Sequence, residues 1–108
     1  MTLEQAESQA RPLFEKHGLR DWRISMENLR NTDVYGPSAE VDGNLGYCDF
    51  RNKTIRIDHA IGRKFRQTLL HEIAHALRGK PGHDQEWIEI AERLGCSSGH
   101  LLPYLLNV

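Results

Sequence analysis

The chain has 108 residues, 39% of them hydrophobic and 27% charged, which suits one small globular domain and falls below the length at which cores divide. Lys and Arg number 14 against 15 Asp and Glu, for a formal charge of −1 and a pI near 6.6, so no overall field draws the chain to phosphate backbones. No apolar run is long enough to span a bilayer, and Met1 to Glu7 lack the basic and apolar regions of a secretory signal, so the expectation is a soluble cytoplasmic protein with no membrane partner.

From Leu3 to His17, the residues Leu3, Ala6, Ala10, Leu13 and Phe14 recur at three- and four-residue steps, which predicts an amphipathic helix ended by Gly18. Trp22 to Met26 alternates apolar and polar residues and reads as a half-buried strand. Asn28 to Asn44 collects Asn, Asp, Gly, Pro and Ser with few apolar anchors, so a long loop that could border a cleft is expected there. Gly46–Phe50 and Thr54–Asp58 read as two strands joined by the polar turn Arg51-Asn52-Lys53. A helix is predicted over Arg63–Arg78, stopped by Gly79, Pro81 and Gly82. Asp84 is placed to cap a further helix, Gln85–Leu94, with Trp87, Ile88, Ala91 and Leu94 on one face and Gly95 at its end. The apolar tail Leu101–Leu106 is expected to dock on the core. Cys48 and Cys96 form no Cys-x-x-Cys pair and are expected as two buried free thiols.

The chemistry concentrates in His71-Glu72-Ile73-Ala74-His75, an H-E-x-x-H sequence. Residues four apart on a helix differ by about 40° around the axis and one turn along it, so both imidazoles can reach one ion. Glu72, about 100° from His71, can then face a water on that ion. Phe65, Leu69, Leu70, Ile73, Ala74, Ala76 and Leu77 fill an arc of roughly 180° opposite the histidines, which divides the helix into a burying face and a binding face. A catalytic zinc site usually has three protein ligands and one open position. His83, after the turn Gly79-Lys80-Pro81-Gly82, is the candidate third ligand; Glu86, Glu89 and Glu92 on the next helix are the alternatives. His17, His59 and His100 read as surface or hydrogen-bonding groups outside this arrangement.

Leu69 to Leu77 followed by His83-Asp84-Gln85-Glu86-Trp87, with Gly46-Tyr47-Cys48 and Thr54-Ile55-Arg56-Ile57 upstream, resembles the SprT-like (Spartan-type) zinc metalloproteases in their compact bacterial and phage form. The resemblance runs from about Trp22 to Gly95 and implies His83 as third ligand. It also implies a zincin-like α+β fold over residues 1–108: a small, mostly antiparallel sheet packed against the N-terminal helix, the H-E-x-x-H helix and a following C-terminal helix. Asp84 stands where the family usually has glycine, and no cysteine-rich ribbon follows Cys96. Some relatives that carry the ribbon cleave proteins crosslinked to DNA; a DNA partner here rests on resemblance alone and has no support from charge. The seven residues between His75 and His83 also differ from the metzincin spacing, which leaves five.

These residues predict a zinc metalloendopeptidase with one catalytic Zn2+ held by His71, His75 and His83, and with Glu72 as general base on protein or peptide substrates. Tyr47 and Tyr104 are candidate donors to a tetrahedral oxyanion. The strand Thr54–Asp58 is expected to offer an edge for an extended substrate. The alternatives are a metal-dependent nuclease and a non-catalytic zinc-containing module that binds protein or DNA.

Overall fold

The computed structural model describes residues 1–29 and 45–105. The long loop expected from Asn28 to Asn44 therefore lies, beyond Leu29, outside the described residues. Helix α1 (Leu3–Lys16) opens at Thr2, whose hydroxyl accepts from the Gln5 backbone N–H at 3.1 Å while the Gln5 side chain accepts from the Thr2 N–H at 2.9 Å. This reciprocal cap satisfies amides that a helix start leaves unbonded. Ala6, Ala10 and Phe14 are fully buried along one face, at the predicted four-residue step.

Strands β1 (Arg23–Glu27), β2 (Gly46–Asp49) and β3 (Thr54–Asp58) form a sheet of order β1-β3-β2. The predicted hairpin is present: β2 and β3 are antiparallel, and the Asp49 carboxylate accepts from the Asn52 backbone N–H at 3.1 Å and from its side-chain amide at 2.8 Å across the turn. The sheet is not mostly antiparallel as expected, because β1 pairs with β3 in parallel, Ile24 beside Ile55 and Met26 beside Ile57. A hairpin dictates only its own pairing. On the same face β2 offers only Gly46 and Cys48, so β3 is the more apolar partner for β1. Consequently Thr54–Asp58 is the central strand and presents no edge; among the described residues the edges are β1 and β2.

Strand alternation sends Ile24, Met26, Gly46, Cys48, Ile55 and Ile57 to one face. Ile24, Cys48, Ile55 and Ile57 pack there in one cluster with Ala6, Ala10 and Phe14 of α1. The other face is polar: the Arg56 guanidinium lies between Glu27 at 2.5 Å and Asp49 at 2.8 Å. Burial alone would raise the Asp49 pKa, but hydrogen bonds from Asn52 and Arg56 outweigh it and hold the carboxyl below its ordinary value.

A 3-10 turn, Gly62–Lys64, leads into α2 (Phe65–Arg78), so the predicted helix starts two residues later than expected. Gly79 ends it in the left-handed region, φ 84°, with its N–H on the His75 carbonyl at 2.9 Å. Then follow α3 (Gln85–Leu94), capped by Asp84, and α4 (Ser98–Leu105). Phe65, Leu69 and Ile73 of α2 join the sheet cluster, while Leu70 and Ala74 join a second cluster with Trp87, Ile88, Ala91, Cys96 and Leu101. Leu13 and Leu94 touch both clusters. The apolar tail thus docks through Leu101, which is 1% exposed. Both cysteines are free and buried, and burial pushes the Cys96 thiol up to about 11. Among the described residues no helix is long and apolar enough to cross a membrane.

Strand β2 approaches α2 at Gly46, where a Cβ would stand 2.6 Å from Glu72 Oε2 and 2.7 Å from Thr68 Cγ2. A side chain at this position must push a buried carboxylate or part the strand from the helix. Gly46→Val is predicted to lower the stability of the metal-free protein by about 1–3 kcal/mol in urea unfolding; an unchanged midpoint would show that the two elements do not press together there.

Candidate metal centre

Helix α2 carries His71 and His75 one turn apart, and the break at Gly79 lets the chain return across them. Asp84 fastens that return. Its carboxylate accepts from the Trp87 backbone N–H at 2.9 Å, capping α3, and from Arg78 Nη2 in the last turn of α2 at 2.8 Å. The residue before it, His83, is thereby brought over α2: its Nε2 lies 3.1 Å from His71 Nε2 and 3.2 Å from His75 Nε2. Ligand atoms of the three histidines all fall within 4.8 Å of one another.

This donor set suits a divalent transition metal. A tetrahedral ion with bonds of about 2.0–2.1 Å spaces its donor nitrogens roughly 3.3 Å apart, and the two separations through His83 come close to that. The three ring nitrogens face one common point, where a cation could take a lone pair from each. Three His can therefore hold a metal ion here. Glu86, Glu89 and Glu92, the alternative third ligands, are all exposed, and Glu86 pairs instead with Arg78 at 3.4 Å.

Glu72 is buried beside this cluster, its Oε2 4.0 Å from His71 Nε2. That is too long for a direct hydrogen bond and short enough for one water molecule to touch both groups. The binding face of α2 is itself buried, with His71 and Glu72 at 0% and His75 at 3% exposure. Trp87 supplies much of that cover. Its ring centroid is 4.6 Å from His71, 5.2 Å from His75 and 4.6 Å from His83, and its indole N–H donates to the His71 carbonyl at 3.3 Å.

Sequence reasoning left one neighbour, His100, out of this cluster and named another, Tyr104, as a candidate donor. His100 of α4 is not outside the arrangement, since its Nε2 lies 2.9 Å from His71 Nδ1. Tyr104, one turn further on, sets its ring centroid 4.2 Å from that of His83. The four-residue spacing of His100 and Tyr104 is the signal by which His100 could have been found. Tyr47, by contrast, follows Gly46 in β2, so alternation turns it to the sheet face away from Glu72. His59 is exposed, and His17 forms the C-cap of α1.

A family model described as the SprT-like family matches residues 28–104, well over half of the chain. The chain belongs to the SprT-like family. No curated protein and no solved structure matches it. The match spans α2, the histidine cluster and most of α4. Within this SprT-like chain, Asp84 gives the site a cap and an ion pair.

The hydrogen bonds from Arg78 and from the Trp87 amide hold the Asp84 carboxyl far below the usual carboxylate range. A depressed folded-state pKa contributes stability that is present above the unfolded value, about 3.9, and is lost as pH falls toward the folded one. Thermal midpoints of the metal-free protein between pH 7 and pH 3 should therefore fall on acidification, and Asp84→Asn, which keeps a capping side chain, should flatten the fall below about pH 5. Identical profiles for the two proteins would remove Asp84 from the account.

Proposed function

We propose that this SprT-like protein is a zinc-dependent endopeptidase in which His71, His75 and His83 hold one catalytic ion and Glu72 is the general base. The carrying observation is the convergence of three Nε2 atoms beside a buried carboxylate 4.0 Å from one of them. When bound, the ion supplies a Lewis acid for a peptide carbonyl and lowers the pKa of water toward about 7. Neutral imidazoles leave its full charge available for that work.

The chain's own residues do the rest. Glu72 takes the proton from the attacking water and returns it to the departing amine, a role that needs a carboxylate fixed within reach of both. Gly46, close against its side chain, restricts where that carboxylate can lie. Trp87 keeps bulk water from the ligand side, which strengthens electrostatic interactions inside. Tyr104, not Tyr47, is the tyrosine placed at the cluster. The substrate is a protein or peptide segment that adds along β2, the edge strand standing against Glu72. A helix bearing two ligands beside a sheet edge supports a zincin-like arrangement.

The test compares zinc-loaded parent protein with Glu72→Gln on an unfolded protein substrate, with RNA and DNA alongside. The parent should cleave the protein and lose that activity to a zinc chelator. Glu72→Gln should cut turnover at least about 100-fold while still binding stoichiometric zinc. Undiminished proteolysis by the variant would remove Glu72 from the chemistry. Cleavage of nucleic acid without proteolysis would favour a nuclease, and turnover of no substrate would favour a binding module.

A further inference from the structure

We propose that His100 is a positioning residue that orients His71 and fixes its tautomer through a hydrogen bond from His71 Nδ1–H to His100 Nε2. The inference rests on the reading of His71, His75 and His83 as ligands and adds a fourth histidine that touches no ion. His71 Nε2 faces the cluster centre, 3.1 Å from His83 Nε2, so the lone pair it offers to a metal must sit on that atom. A neutral imidazole with a free pair on Nε2 carries its proton on Nδ1. That proton points at His100 Nε2, 2.9 Å away, which accepts it only if His100 keeps its own proton on Nδ1. The two tautomers are therefore linked, and the His71 ring is left one orientation in which both bonds are made.

The surrounding structure holds His100 in place for this contact. Ser97 Oγ accepts from the His100 backbone N–H at 3.2 Å, at the start of α4. The Ser97 backbone N–H in turn donates to Gln67 Oε1 at 2.8 Å, and Gln67 lies one turn before His71 on α2. This bond fastens the start of α4 to the ligand-bearing helix one turn before His71. Leu101, next to His100, is buried in the second apolar cluster. On the opposite side, Trp87 bonds the His71 carbonyl and packs against its ring. A ligand held by partners outside the metal's own shell gives up less rotational freedom on binding, and such partners typically contribute 10–100-fold in metal affinity.

The experiment measures zinc affinity by competition with a chromophoric chelator for the parent, His100→Leu and His100→Gln. Gln places its side-chain oxygen about as far from the backbone as Nε2 and can accept the His71 proton; Leu fills space and cannot. His100→Leu should bind zinc roughly 10–100-fold more weakly, and His100→Gln should recover most of that loss. Nitrogen NMR of the zinc-loaded parent should show His71 protonated on Nδ1. Thermal midpoints of the metal-free variants separate a general loss of folding from a loss at the ligand. Affinity unchanged in His100→Leu, or lost equally in both variants, would overturn the proposal. A parent that binds no zinc would instead overturn the ligand reading on which it stands.

Discussion

Three ring nitrogens brought within about a hydrogen-bond length of one another are the constraint around which this small protein is arranged. Two of the three come from one helix, whose spacing cannot be adjusted, and the third is returned over it after Gly79. Bringing three rings this close needs a scaffold that forces them together, and a positive charge among them would add to that. The scaffold here does the forcing from several sides. Trp87 packs against all three rings, Asp84 and Arg78 lock the returning loop, and Tyr104 lies against His83.

The layering follows from the same helix. Helix α2 is buried toward the sheet by Phe65, Leu69 and Ile73, toward α3 and α4 by Leu70 and Ala74, and along its polar side by the site itself. A domain of this size has little apolar surface to spare. Placing His71 and His75 between two clusters lets burial rigidify them, and places the carboxylate of Glu72 where β2, lacking a side chain at Gly46, can come close. The fold and the candidate site therefore draw on the same contacts, and a bound metal should add to stability.

Much of this was legible in the sequence because the signals were local. The cap at Asp84, the stops at Gly79 and Gly95, the hairpin turn and the H-E-x-x-H spacing each depend on residues close together in the chain, and each appears where expected. What escaped was non-local. No pattern within Arg23–Glu27 says that it should lie parallel to β3, which makes the strand expected at the edge the central one. The burial of the histidine face depends on α3 and α4 folding over it, which helical periodicity in α2 cannot reveal. His100 reads in the sequence as a surface or hydrogen-bonding group, and only the docking of α4 brings it to His71.

The most direct test of the ligand set is X-ray absorption at the zinc edge on protein reconstituted with one equivalent of metal. The account predicts stoichiometric zinc with three imidazole nitrogens at about 2.0–2.1 Å, one of them lost in His83→Ala. Absence of a stoichiometric ion, or a first shell made of carboxylates or thiolates, would contradict it.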